Sequence, residues 1–310
     1  ALGPATGGCR MWEYNSDEGA LIDALRLSRG MTYKNAMAGL SMGGGKSVII
    51  GNAKTMKSEA LFEAFGTFVN NLNGQYVTAE DVGINPDDMA IVHRKTNHVL
   101  GLEGKSGDPS PVTAYGVYKG MKAAVKHRLG RDDLDGIRIG VQGLGHVGQY
   151  LCEHLHNEGA QLIVTDINKE SIDKMVSLYN ATAVDVDEIY QQQMDVYAPC
   201  ALGATLNDVT IPKLTAKVVA GAANNQLAED RHGAALKKAG ILYTPDYIIN
   251  AGGIINVSFE ENYDKDAALR KVDEIYGTLE EVFATADSED KTTNVVADEL
   301  ARKRVAAAKK

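Results

Sequence analysis

From residue 137 onward, short apolar runs alternate with amphipathic stretches. IRIGVQ at 137–142 precedes a helical pattern over His146–Asn157, and QLIVTD at 161–166 precedes another over Lys169–Tyr179. Shorter apolar segments recur at 195–197, 217–220 and 241–243, and two helical patterns close the chain at 267–283 and 295–308. Strands alternating with helices of this length predict a parallel sheet covered on both faces, a Rossmann-type doubly wound α/β domain. The first third is patterned differently. Asn15 with Glu18 reads as a capping residue with a returning acid, opening a helix whose apolar positions are Leu21, Ala24, Leu25 and Leu27. Asn85-Pro86-Asp87-Asp88 predicts a second start, with a capping amide, a first-turn proline and acids at the positive helix end. Ser47–Ile50 and 76–78 read as strands. The turn-rich GKSGDPSP at 104–111, followed by a helix over 112–128, marks the expected domain boundary. The division expected is an α/β substrate-binding and oligomerisation domain at 1–110, a nucleotide-binding domain at 111–294, and a terminal helix at 295–310.

A length of 310 residues suits two domains, and 44% hydrophobic with 24% charged residues is ordinary globular composition. The net charge is −9. Arg302, Lys303, Arg304, Lys309 and Lys310 gather at the end, but an acidic chain repels phosphate backbones, so nucleic acid is not the expected partner. No apolar run approaches the ~18 residues of a membrane span. Cys9, Cys152 and Cys200 are far apart, with no CxxC or Cys/His spacing, which argues against a disulfide framework or zinc site and fits a reducing, cytoplasmic setting. The chain opens on Ala1 rather than methionine, and an N-terminally shortened sequence is the expectation.

The clearest chemical signal is Gly143-Leu144-Gly145-His146-Val147-Gly148, lying between strand and helix patterns, with Asp166 closing the next strand 18 residues after Gly148. In that setting Gly143 permits a tight turn, Gly145 lets backbone approach a pyrophosphate and Gly148 lets the helix pack on the strand. A carboxylate at Asp166 would accept hydrogen bonds from ribose hydroxyls and repel a 2′-phosphate, favouring NAD over NADP. Gly43-Gly44-Gly45-Lys46-Ser47 invites a phosphate-loop reading, but that loop requires glycine where Leu40 stands, so the reading is rejected. What remains is a lysine presented by glycines, whose proton is more easily lost if it is buried beside another positive charge, such as Lys34. Taken alone, either lysine is more simply a solvated surface charge. Thr78-Ala79-Glu80-Asp81-Val82-Gly83 puts two acids at a strand end, where a proton-transfer carboxylate would sit. Spacing alone favours a plain turn there.

Longer stretches bear on these alternatives. TYKNAMAGLSMGGGKSVIIGN, YVTAEDVG, SGDPSPVTAYGVYKGMKAA, GVQGLGHVG, LIVTDINKE, DVYAPCALGATLND, AGAANNQL and PDYIINAGGIINV resemble the glutamate, leucine, phenylalanine and valine dehydrogenase family, most closely its leucine-type members. The resemblance implies two domains around a cleft, a homo-oligomer, and NAD-dependent reversible deamination of an L-amino acid to a 2-oxo acid and ammonia. Carried over by motif, Lys34 would hold the substrate carboxylate, Lys46 would activate water and Asp81 would transfer protons. Asn225 and Thr113 would lie beside the nicotinamide, Asn225 touching substrate and cofactor. Gly143, Gly145, His146, Val147, Gly148 and Asp166 would bind NAD, with Ala198, Pro199, Cys200 and Ala201 lining the cofactor side. No metal is implied.

The same resemblance frames specificity. Glutamate-specific members carry a lysine where Thr6 stands, beside Gly7, so glutamate is disfavoured. Leucine-specific members usually carry leucine there. Met42, Ala79, Ile254 and Val257 would complete an apolar pocket, with Ile254 where valine is usual. Hydrophobic pockets separate single methylenes by only ~1–3 kcal/mol, so leucine, valine and isoleucine should all react. The alternatives are the same chemistry on an aromatic amino acid, for which Thr6 leaves room, and a non-catalytic nucleotide-sensing module. Lys34, Lys46, Asp81 and Asn225 together argue against a sensor, which needs none of them. SGDPS where SGNPS is usual is a further departure.

Overall fold

A computed structural model describes residues 1–102, 107–260 and 263–308. Part of the expected boundary, 104–106, lies outside the described residues, as do Lys309 and Lys310. The chain divides into two compact units: Ala1–Asp108 with Ile254–Lys265 and Ala301–Lys310, and Pro109–Gly253 with Asp266–Leu300.

The first unit is built on parallel strands. β1 (Ala5–Thr6) runs into β2 (Cys9–Trp12), then α1 (Asp17–Met37) leads to β3 (Gly43–Gly44) and β4 (Ser47–Ile50), and α2 (Glu59–Asn71) leads to β5 (Tyr76–Val77) and α3 (Pro86–His93). β1 lies between β3 and β5, and β2 pairs with β4 from Cys9↔Ser47 to Trp12↔Ile50. On the other side of β2, the Cys9 and Met11 amides donate to Ala79 O at 2.8 Å and Val82 O at 2.9 Å. Residues 5–12 are therefore the central strand of one continuous parallel arrangement. Its core is Cys9, Met11, Phe62, Met89, Val92 and Val99.

Caps fix the helices. α1 starts one residue later than Asn15 predicts, because Ser16 is extended and its Oγ accepts the Gly19 amide at 3.1 Å. α3 carries the full reciprocal box between Asn85 and Asp88. α2 was not anticipated; Ser58 caps it, and Phe62, Gly66 and Val69 form its buried stripe. The apolar positions of α1 do not all turn inward. Leu21 is 59% and Leu25 62% exposed, alongside Ile22.

In the second unit, α4 (Ser110–Leu129) precedes β6 (Arg138–Gln142), α5 (His146–Asn157), β7 (Gln161–Thr165), α6 (Lys169–Tyr179), β8 (Thr182–Ala183), β9 (Val196–Pro199), β10 (Val218–Val219), α7 (His232–Lys238), β11 (Leu242–Tyr243) and α8 (Asp246–Ile249). Six parallel strands lie in the order β8-β7-β6-β9-β10-β11. The chain starts mid-sheet at β6, runs out to β8, returns to β9 beside β6 and continues to β11. This doubly wound order places its switch point between β6 and β9, where ligands of such sheets bind. Strand interiors are apolar on both faces, as a two-sided parallel sheet demands.

α9 (Gly252–Val257), α10 (Lys265–Ser288) and α11 (Thr293–Ala307) complete the chain. Residues 254–265 belong to the first unit rather than to one continuous stretch over 111–294. There Glu260 accepts the Gly101 amide with both carboxylate oxygens at 3.0 Å. α11 begins in the second unit, where Thr293 Oγ1 donates to Tyr243 O at 2.6 Å. It ends in the first, where Arg304 donates to Met37 O at 3.0 Å.

Glycine 44 sets how closely α1 approaches β3, since a Cβ there would lie 2.0 Å from Thr32 N. Gly44→Ala should lower stability by roughly 1–3 kcal/mol in urea unfolding. Gly30→Ala, in the same helix with nothing within 4 Å of its Cβ, should raise it by about 0.5–1 kcal/mol.

Candidate active site

Lys46 enters β4 directly after the glycine run, and Asp81 follows β5 on the opposite side of the central strand. Two glycines allow the three stretches to close on one another. A Cβ at Gly7 would lie 1.9 Å from Gly45 O, and one at Gly8 would lie 2.2 Å from Glu80 O. The result is a direct ion pair, Lys46 Nζ to Asp81 Oδ1 at 3.0 Å, with the lysine side chain only 7% exposed. The second oxygen of Asp81 accepts from Arg10 Nε at 2.8 Å. Arg10 Nη1 donates onward to Asp23 at 3.1 Å, and Asp23 also accepts from Tyr14 and Arg26, each at 2.7 Å.

The electrostatics follow from this packing. Burial lowers the Lys46 pKa from its ordinary value; Asp81 opposes the shift and the charge of Arg10 adds to it. Arg10 is a like charge beside Lys46 that the sequence reading, which named Lys34 as one candidate, did not include. Burial works to raise the Asp81 carboxyl, but Lys46 and Arg10 outweigh it and hold Asp81 below its ordinary value. Beside them, burial pushes the Cys9 thiol up to about 11, so it stays neutral. Tyr76 links the strands, its hydroxyl donating to Gly7 O at 2.6 Å and lying 2.9 Å from Ser47 Oγ.

Lys34 occupies the last turn of α1. Its neighbour Asn35 is buried and donates to Gly43 O at 2.7 Å, which ties this helix end to the glycine run before Lys46. Thr6 is buried in β1, while Met42 and Ala79 are half-buried, as are Ile254 and Val257 on α9. All of these belong to the first unit. Thr113 and Asn225 belong to the second. Thr113 Oγ1 donates to Pro109 O at 2.9 Å at the start of α4. Asn225 is exposed on the loop after β10, in a left-handed conformation at φ +52°, and its carbonyl accepts the Ala204 amide at 2.7 Å.

The glycine loop follows β6 at the sheet's switch point. Gly143 has φ +101°, and a Cβ there would meet Ala201 N at 2.6 Å. A Cβ at Gly148 would meet Gly143 O at 2.1 Å, so α5 packs against the turn only because both are glycine. Gly145 is the opposite case: nothing lies within 4 Å of its Cβ position, and α5 starts there with no side-chain cap, at exposed His146 and half-buried Val147. A helix N-terminus favours a negatively charged group nearby. Asp166 directly follows β7 and accepts amides from Leu144 and, at 2.8 Å, from Asn168. Ala198 and Pro199 pair with Val141 and Gln142, and the Cys200 amide donates to Gln142 O at 2.7 Å, holding Cys200 and Ala201 against Gly143.

Arg10 and Asp23 escaped sequence reasoning. The one available signal was an arginine between the inward-facing Cys9 and Met11. Elsewhere, Asp208, Glu229 and His232 gather within 4.8 Å, but Arg231 already bridges the two carboxylates at 2.6 and 2.9 Å. Among the described residues no helix is long and apolar enough to cross a membrane.

Two family models match the chain: "Glu/Leu/Phe/Val dehydrogenase, dimerisation domain" over 1–98, and "Glutamate/Leucine/Phenylalanine/Valine dehydrogenase" over 104–168 and 162–310. The chain belongs to the Glu/Leu/Phe/Val dehydrogenase family. It is an amino-acid dehydrogenase. A leucine dehydrogenase of Bacillus cereus is 56% identical over 312 residues, covering 99% of this chain and 85% of that protein. A valine dehydrogenase of Streptomyces coelicolor is 46% identical over 316 residues, covering 100% and 87%. The crystal structure of L-tryptophan dehydrogenase from Nostoc punctiforme superposes with a TM-score of 0.91 at 47% identity, covering 99% of this chain and 90% of that one. The two-domain Rossmann-type fold of this family is thus the fold of the chain.

The depressed Asp81 pKa makes a stability prediction for this dehydrogenase. The contribution is complete above the ordinary carboxyl value of 3.8 and is lost as pH falls through the lower folded value. In urea titrations below about pH 4, Asp81→Asn should lose less stability with falling pH than the wild type.

Proposed function

We propose that the chain catalyses NAD-dependent, reversible oxidative deamination of a branched-chain L-amino acid (leucine, valine or isoleucine) to the 2-oxo acid and ammonia. The observation that carries this reading is the buried 3.0 Å pair of Lys46 and Asp81. A lysine that burial makes easier to deprotonate is a base fit for neutral to alkaline water chemistry. Lys34 binds the substrate carboxylate as an ammonium. Thr6, Gly7, Met42, Ala79, Ile254 and Val257 enclose the side chain, and Thr113 and Asn225 steady the reacting end.

NAD, when bound, supplies the acceptor for the hydride leaving the substrate Cα. Gly143, Gly145 and Gly148 with His146 and Val147 would hold its pyrophosphate, Asp166 would take the ribose hydroxyls, and Ala198, Pro199, Cys200 and Ala201 would line the cofactor side. The space at Gly145 and the uncapped helix support that fit. Lys46 takes a proton from the water that attacks the oxidised substrate's imine carbon, and as an ammonium it steadies the oxygen that forms. Asp81 exchanges protons with the departing amino group. Its depressed pKa keeps it a carboxylate until Lys46 and Arg10 loosen their hold.

Leucine and valine acting relatives favour the branched-chain reading. An aromatic substrate is the second reading, favoured by the L-tryptophan dehydrogenase of Nostoc punctiforme and the small Thr6. Exposed Leu21, Ile22 and Leu25 on α1, with Trp12 and Ile50 paired on β2 and β4, support a homo-oligomer assembled through the first unit. Three free cysteines suit a cytoplasmic setting.

NADH formation at alkaline pH across a panel of L-amino acids should be fastest with leucine, valine and isoleucine, and should fail with NADP. Tryptophan or phenylalanine outpacing all three would replace the branched-chain reading with the aromatic one. Lys46→Ala should reduce turnover at least a hundredfold while NAD still binds, measured by NADH fluorescence; unchanged turnover would remove Lys46 from the mechanism.

A further inference from the structure

We propose that Arg10 is a positioning residue of this reaction: its guanidinium holds one oxygen of Asp81 so that the other stays presented to Lys46, and Asp23 holds the guanidinium in turn. The inference rests on the deamination reading above.

Three observations carry it. The first is register. The Cys9 and Met11 amides bind Ala79 O and Val82 O, one residue either side of Arg10, so the backbone fixes Arg10 opposite Glu80 and Asp81. Its reach to Asp81 is set by the strand and not by a flexible loop. The second is geometry. With Oδ1 on Lys46 at 3.0 Å and Oδ2 on Arg10 at 2.8 Å, neither carboxylate oxygen can turn away without breaking a charge-assisted bond. The third is charge balance. When Lys46 gives up its proton, Asp81 still faces a permanent cation, because a guanidinium does not deprotonate. Without Arg10, neutral Lys46 would leave a half-buried carboxylate without a charged partner, and the ammonium would be retained instead.

The second carboxylate makes Arg10 more than a surface partner. Asp23 binds it from α1 and is itself held by Tyr14 and Arg26, so the guanidinium spans β2 to α1. The charged and titratable groups around the pair are Cys9 and Arg10 on β2, Asp23 and Arg26 on α1, Tyr14 between them, and Glu80 beside Asp81.

The test compares Arg10→Met, Arg10→Lys and Asp23→Asn in kcat, KM and the pH profile of oxidative deamination. Arg10→Met should lower kcat about tenfold to a hundredfold with KM for the amino acid within about threefold. The acid limb of its profile should move to higher pH, because Lys46 then keeps its proton longer. Arg10→Lys should recover part of kcat, and Asp23→Asn should move the limb in the same direction by less. Unchanged kcat and limb in Arg10→Met, or a lowered thermal midpoint with the limb unmoved, would overturn the proposal. Should Arg10→Met not fold, Asp23→Asn decides by the same limb. Should the wild type oxidise no amino acid, the deamination reading falls, and carboxyl carbon NMR of Asp81 decides Arg10 instead: its titration rises in Arg10→Met if Arg10 holds Asp81, and stays in place if it does not.

Discussion

The structure turns on a conflict between burial and charge at one amine. Removing Lys46 from water disfavours its ammonium form, while a carboxylate at 3.0 Å favours it. Neither effect alone gives a useful base. Burial without Asp81 would lower the Lys46 pKa further, and Asp81 without burial or Arg10 would raise it. Arg10 shares the carboxylate and tips the balance back toward deprotonation. Under the proposed deamination, that loosened proton sits on the amine that would activate water.

Glycine serves both units by allowing close approach, with different results. In the first unit, Gly7, Gly8 and Gly44 let backbones meet at distances no side chain allows, which brings three strand ends and one helix end together. In the second, Gly143 and Gly148 do the same between turn and helix, but Gly145 faces open space. Two of that loop's glycines build the turn, and the third has nothing within 4 Å of its Cβ position, the space that the proposed cofactor reading uses.

The nucleotide-binding sheet was readable from the chain because its signals are local. Each strand-helix step repeats an apolar period within about 25 residues, which predicts a parallel sheet, while the order β8-β7-β6-β9-β10-β11 comes from the structure. The first unit was harder to read. β1, β2 and β3 are only two to four residues long, too short to carry a period. Lys46 and Asp81 could be singled out as residue types, yet spacing alone favoured solvated charge and a plain turn, and only the family resemblance assigned them roles. Their pairing depends on contacts across the sheet. Arg10 meets Asp81 across 71 positions, and no pattern in a single sequence encodes that contact. The apolar run through Leu21 and Leu25 is legible in the sequence, but its exposure is not, since periodicity shows that a face is apolar and not what covers it.

The most direct measurement is the titration of Lys46 itself, by nitrogen NMR of labelled lysine with Lys46→Met identifying the resonance. The account requires a wild-type pKa below the ordinary 10.5, and a lower value still in Asp81→Asn, where burial acts without the opposing carboxylate. A wild-type value at or above 10.5, or an upward shift on losing Asp81, would contradict it.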